Sequence, residues 1–165
     1  MKDYSFLFPS ETIKKMISTY PEKKSCSIKE VLSSKLTIAS NNFLITNGSL
    51  EGMNIIIANL VQNNIGYLTP TFWGYDFLID ESMLPYKYDF FNYTMIPFVE
   101  KYTNLIVCSS ISKSLCAPGL RIGYICANEK IVKKLEKKVI PFNVSNINQC
   151  IAEKILENFP LSLSI

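Results

Sequence analysis

Short apolar runs alternate with stretches in which apolar residues recur every three or four positions, and this alternation predicts an α/β chain with a largely parallel sheet. Phe43 to Thr46 is an apolar run of strand length, closed by Asn47-Gly48-Ser49. After it, Leu50, Met53, Ile56, Ile57, Leu60 and Val61 fall at helical spacing. Strand, tight turn and helix are expected there. Phe77 to Asp80 is a second apolar run that ends in an acid, and Leu105 to Cys108 is a third that leads into Ser109-Ser110. Arg121 to Ala127 predicts a further strand, followed by Asn128 as cap of a helix whose Ile131, Val132, Leu135 and Val139 share one face. A last helix is expected from Ser145 to Asn158, and another over Ser27 to Ala39. The aromatic stretch with Tyr86, Tyr88, Phe90, Phe91 and Tyr93 is expected to cover a hydrophobic surface or a partner.

Composition then works by exclusion. The 165 residues are 48% hydrophobic and 19% charged, the profile of one domain with a sizeable core and not of a disordered chain. No run approaches the ~20 apolar residues of a membrane-spanning helix; even Asn54 to Val61 is broken by Asn54 and Asn59. Met1 to Ser10 lacks the length and cleavage pattern of a secretory leader, so a cytoplasmic chain is expected, with no membrane partner. The 17 basic and 14 acidic residues leave a net charge of +3 and cluster only at Lys133 to Lys138, so no nucleic-acid partner is expected. Five cysteines without a Cys-x-x-Cys pair read as reduced, partly buried thiols. The sequence has no histidine, which removes Ser-His-Asp and Cys-His nucleophiles and histidine zinc sites together. No metal site is expected, and chemistry falls to Lys, Asp, Glu, Tyr, Ser or Cys.

In open α/β sheets ligands collect beyond the carboxyl ends of the strands. Three predicted strand ends carry Gly48-Ser49, Asp80, and Ser110 to Lys113. With parallel strands, these groups face one crevice from separate parts of the chain. Arg121, the only arginine, follows Lys113 by eight positions. A planar guanidinium grips a phosphate or carboxylate through two bonds, which an ammonium does not.

The segment Ser110-x-x-Lys113 with Ala117-Pro118-Gly119-Leu120-Arg121-Ile122-Gly123-Tyr124 resembles the fold type I pyridoxal-phosphate enzymes, specifically the class I/II aminotransferases of the histidinol-phosphate aminotransferase and threonine-phosphate decarboxylase branch. Thr46-Asn47-Gly48-Ser49-Leu50-Glu51-Gly52 is similar to that family's phosphate-cradling turn, Pro70 to Tyr75 to the segment whose aromatic stacks on the pyridine ring, Phe77 to Ser82 to the strand ending in the aspartate that faces the ring nitrogen, and Thr19-Tyr20-Pro21 to an element near the start of its members. The resemblance implies a three-layer α/β/α fold with a mostly parallel sheet, an abridged version of the family's large domain. It implies pyridoxal 5'-phosphate as cofactor, held by Lys113 as a Schiff base, with Asp80 as the electron-sink partner and Phe72 stacked on the ring. Gly48, Ser49, Leu50, Ser110, Ser112 and Arg121 would hold the phosphate, and Tyr20 would reach the phosphate of a neighbouring subunit. It further implies amino acid and oxo acid substrates and a homodimer.

The requirements behind these roles are physical. A carboxylate beside a pyridine nitrogen favours the protonated ring, which draws electrons from a carbanion at a substrate α-carbon. A lysine amine attacks a carbonyl only when neutral, and once freed it can carry a proton to and from that carbon. The resemblance is interrupted in three places. Between Tyr75 and Phe77 there is no Asn-Pro-x-x-Pro-x-Gly segment, Met83 stands where many members have a tyrosine, and no second arginine offers itself to a substrate carboxylate. One abridged domain over residues 1–165, without the complete C-terminal small domain, is therefore expected. Two readings stay open: an enzyme transferring an amino group between an amino acid and a 2-oxo acid or phosphorylated carbonyl compound, or an inactive remnant that keeps the fold, with or without the cofactor. Ser110-x-x-Lys113 also matches serine acyl-enzymes of the penicillin-binding type, but their Lys-Thr-Gly strand is absent.

Overall fold

The computed structural model describes residues 10–60, 77–86, 89–158 and 161. Its helices are α1 (Ser10–Ser18), α2 (Cys26–Leu36), α3 (Ser49–Leu60), α4 (Phe90–Tyr93), α5 (Ile111–Ser114), α6 (Glu129–Glu136) and α7 (Asn146–Asn158), and its strands are β1 (Phe43–Thr46), β2 (Phe77–Asp80), β3 (Leu105–Ser110) and β4 (Gly123–Ala127).

Every residue of β1, β3 and β4 is buried, as in a sheet covered on both faces. Because successive side chains point to opposite faces, each strand feeds two cores. Phe43, Ile45, Leu105, Val107, Tyr124 and Cys126 join Ile28 and Leu32 of α2 and Ala152 and Ile155 of α7 on one face. Leu44, Ile106, Cys108, Ile125 and Ala127 join Ile56 of α3 and Val132 and Leu135 of α6 on the other. The result is three layers, α/β/α.

The strand order is β1-β4-β3-β2. β2 pairs parallel with β3, whereas β4 pairs antiparallel with both β1 and β3. The expectation of a mostly parallel sheet holds for the directions of β1, β2 and β3 and fails for β4, whose reversal makes two of the three pairings antiparallel. β4 is reached from α5 through the short turn Pro118–Leu120. Residues 111–122 hold only the single turn of α5 and this turn, with no crossover helix long enough to carry the chain back for a parallel return, so β4 runs against β3.

The helices form for local reasons where their pattern is strong. On α6 the Asn128 side chain accepts the Lys130 amide at 3.1 Å, Glu129 and Lys133 pair at 2.6 Å, and Val132 and Leu135 are buried. Two expectations change. Arg121 does not begin a strand: it adopts a left-handed backbone, φ 48°, and β4 starts at Gly123. Phe90 lies in the core at 1% exposure while Phe91 and Tyr93 are exposed, because the single turn of α4 turns one face inward; Tyr88 lies outside the described residues. All five cysteines are free; Cys108 and Cys126 are buried, but Cys26 and Cys116 are exposed. Among the described residues no helix is long and apolar enough to cross a membrane.

Candidate functional site

Strand register gathers the candidate residues at one edge of the sheet. Thr46 and Ser110, the last residues of β1 and β3, both lie opposite Gly123, the first of β4, and Asp80 at the end of β2 lies opposite Cys108. The segments that follow these ends are 47–49, 81–83 and 111–113, and Arg121 immediately precedes β4. Residues far apart in sequence therefore share one edge.

The turn between β1 and α3 is held by its own polar groups. Thr46 Oγ1 donates to Gly48 O at 2.9 Å, and the Asn47 amide donates to Glu51 Oε2 at 2.6 Å. Glu51 also accepts from Asn143 Nδ2 at 2.8 Å, which ties the turn to the 142–144 segment. Gly48 has φ +79°, and a Cβ there would lie 2.7 Å from Arg121 Nη2. The guanidinium thus lies directly against the turn that opens α3. A Cβ on Gly123 would strike the Ser49 amide and the Gly48 carbonyl carbon, so β4 approaches the same turn closely enough to require glycine. Helix N-terminal amides beside a guanidinium form an anion site suited to phosphate.

Lys113 is exposed on the single turn of α5, and its Nζ donates to Met83 Sδ at 3.5 Å. Asp80 is exposed, and its Oδ1 accepts from the Ser82 amide at 2.9 Å. Among the described residues, Asp80, Lys113 and Arg121 take part in no ion pair; the pairs that form lie elsewhere. Beneath the edge Cys108 Sγ meets Ser49 O at 3.4 Å, and burial pushes its thiol up to about 12, which leaves it an inert packing group.

The model of the aminotransferase class I and II family matches residues 77–164. The chain belongs to that family. Over 81 residues it is 33% identical to the histidinol-phosphate aminotransferase of Caldanaerobacter subterraneus subsp. tengcongensis, a stretch covering 49% of this chain and 22% of that protein. Against the histidinol-phosphate aminotransferase of Thermoanaerobacter pseudethanolicus it is 38% identical over 79 residues, 48% of this chain and 21% of that one. The chain thus matches about a fifth of the length of these relatives. Among solved structures, the L-threonine-O-3-phosphate decarboxylase of Porphyromonas gingivalis superposes with a TM-score of 0.74 at 18% identity, over 88% of this chain and 66% of that one. The histidinol-phosphate aminotransferase of Sinorhizobium meliloti, in complex with pyridoxal-5'-phosphate, gives 0.72 at 14% identity, over 90% and 58%. The fold is that of the fold type I pyridoxal-phosphate enzymes, as the sequence resemblance implies.

Within this aminotransferase family chain, Asp80, Ser110, Ser112, Lys113 and Arg121 lie inside the matched residues 77–164, whereas Gly48, Ser49 and Leu50 do not; tertiary structure brings that turn to Arg121. Ser112 is turned inward. Its hydroxyl donates to Ile122 O at 3.3 Å and accepts the Ile122 amide at 2.9 Å, so its one proton is spent on holding the turn beside Arg121. Ser110 Oγ also donates to Ile122 O, at 3.5 Å. Ser49 is half-buried and Leu50 is 60% exposed at the start of α3. Tyr20 stands outside the cluster: it is 84% exposed, and its ring packs 5.2 Å from that of Phe142. Phe72, with the rest of Pro70 to Tyr75, lies outside the described residues.

Three residues of the edge carry no role in the sequence reading: Glu51, Asn143 and Glu81. An acid in the first turn of a helix after Asn-Gly-Ser is a signal for Glu51. Asn143 and Glu81 have no comparable local signal, because their partners lie 92 and 13 positions away.

Proposed function

We propose that this chain binds pyridoxal 5'-phosphate at the sheet edge and transfers an amino group between an amino acid and a 2-oxo acid or phosphorylated carbonyl compound. The observation that carries the reading is the seating of the Arg121 guanidinium against Gly48 at the start of α3, which joins the family's lysine segment to a helix N-terminus suited to phosphate. The residues fit the group: Gly48, Ser49, Leu50 and Arg121 hold its phosphate, and Ser110 and Ser112 fix the backbone that presents Arg121. When bound, the cofactor supplies an electron sink for the substrate α-carbon. Asp80 would be the partner of the ring nitrogen, and Lys113 would hold the cofactor and could then carry a proton at its Nζ. The Met83 thioether accepts from Nζ at 3.5 Å and orients the amine. The exposed Phe91, Tyr93, Phe98 and Tyr102 support a homodimer, and membership of the family supports small-molecule substrates and a cytoplasmic setting.

The test is the absorbance of purified protein with added pyridoxal phosphate, followed by borohydride reduction and peptide mass mapping. The reading expects a visible band that reduction fixes on Lys113 and that Lys113→Ala lacks. Labelling spread over surface lysines sinks it. Screening amino donors while following oxo acid and carbon dioxide then separates amino transfer from decarboxylation. A chain that binds the cofactor without turnover is the second reading, favoured because the only arginine of the sequence is already engaged at the Gly48 turn.

A further inference from the structure

The sheet edge contains one buried acid that the chemistry above does not use. Glu81 is 4% exposed and directly follows Asp80. Its Oε2 accepts from Thr94 Oγ1 and its Oε1 from the Met95 amide, both at 2.6 Å. Thr94 Oγ1 accepts in turn from the Ile96 amide at 3.2 Å, and Ile96 and Val99 anchor that segment in the core at 0% exposure. The backbone of Glu81 is fixed as well. Its amide donates to Cys108 O at 2.8 Å and its carbonyl accepts from Ser109 Oγ at 3.3 Å.

No cation accompanies this carboxylate among the described residues; its partners are neutral. A buried acid satisfied in this way is seldom favoured over an apolar side chain for stability alone. What the arrangement does accomplish is geometric. The Asp80 backbone closes β2 opposite Cys108, and beyond it the carboxylate depends on the fixed backbone of Glu81 and on the Ser82 amide that donates to its Oδ1. Both belong to the turn that Glu81 clamps onto residues 94–96.

We propose that Glu81 is a positioning residue, which by tying the turn after β2 to the Thr94–Met95 backbone directs the Asp80 carboxylate toward the cofactor ring. This rests on the reading of Asp80 as partner of the ring nitrogen. Glu81 itself touches neither cofactor nor substrate.

The test uses the full chain with Glu81→Ala, Glu81→Gln and Asp80→Asn. Without cofactor, amide exchange at Ser82 is expected to quicken about tenfold in Glu81→Ala while β3 and β4 amides keep their protection. With pyridoxal phosphate, Glu81→Ala is expected to raise the dissociation constant about tenfold and to move the pH midpoint of the visible band in the same direction as Asp80→Asn. Glu81→Gln, whose amide oxygen can keep the Met95 bond, stays within about twofold of wild type. A folded Glu81→Ala with wild-type exchange at Ser82 and a wild-type midpoint overturns the proposal, as does a Glu81→Gln as defective as the alanine variant. If Glu81→Ala does not fold, Glu81→Asp, one methylene too short to reach both partners, carries the same comparison. A wild-type chain with no band overturns the cofactor reading and with it the purpose assigned to Glu81; the Ser82 exchange, read without cofactor, tells that failure apart from a clamp that does not hold Asp80.

Discussion

Two junctions bring distant parts of this chain together through a carboxylate, and they are built in opposite ways. Where α6 ends, Glu136 receives the ammonium groups of Lys24 at 2.9 Å and Lys29 at 3.1 Å, so charge is closed on charge. At the end of β2, Glu81 is held by a hydroxyl and an amide, and its neighbours Asp80, Lys113 and Arg121 are left without ion pairs among the described residues. The first junction spends its charges on the fold. In the function proposed above the second leaves its charges to a ligand, which is how a binding edge differs from a structural contact.

Substitutions should therefore split between binding and stability. The largest effect is expected for Arg121→Ala, which should weaken pyridoxal phosphate binding about 100-fold, or about 2.7 kcal/mol, by removing charge-assisted bonds to the phosphate. Its melting temperature should hardly move. Fluorescence titration and a thermal melt check both halves, and a large fall in stability would break the contrast. Glu136→Ala should behave in the opposite sense. It leaves the Lys29 ammonium, 10% exposed, without its partner and should cost about 1–3 kcal/mol in urea unfolding, with cofactor affinity unchanged.

The pH dependence sharpens the comparison further. Burial raises the Glu81 carboxyl above its ordinary value, an effect that the Met95 and Thr94 bonds oppose and the charge of Asp80 reinforces. The folded state then keeps a proton that the unfolded state has lost, so this contribution to stability declines as pH rises from the ordinary carboxylate value through the raised one. For Glu136 burial also disfavours ionisation, but Lys24 and Lys29 outweigh it and hold the carboxyl below its ordinary value. Its contribution is complete above that ordinary value and is lost as pH falls through the lowered one. Urea melts between about pH 3 and 7 should show Glu81→Gln flattening the upper slope and Glu136→Gln the lower. The smallest effect is expected for Lys24→Ala, whose side chain is 57% exposed. Its melting temperature should match wild type, since Lys29 still pairs with Glu136.

The elements that were legible in the sequence are those whose signals are local. β1, α3, β2 and α7 lie within a residue or two of the expected bounds, β3 extends two residues further to Ser110, and α6 begins at its expected cap but ends at Glu136, three residues before Val139. In each, an apolar run or a helical stripe is bounded by a turn or cap, as at Asn47-Gly48 and Asn128. α1 has no such stripe: only Met16 is buried while Ile13 and Ile17 are exposed, and the Asn146 side chain on α7 holds its end through Met16 O and Thr19 Oγ1. At the candidate site the order of Gly48, Asp80, Lys113 and Arg121 along the chain was readable. The inward turn of Ser112 onto Ile122 was not, because it depends on the left-handed backbone at Arg121.

The sequence by itself determined the alternation of strands and helices, the family and the chemistry available at Lys113, since periodicity and motif spacing are written in neighbouring residues. Only the tertiary structure decided that β4 runs against its neighbours, that Arg121 lies on Gly48, and that Glu81 is buried against Thr94 and Met95. These contacts join residues from 13 to 83 positions apart. Strand register and burial choose such partners, and no pattern within a single element carries them.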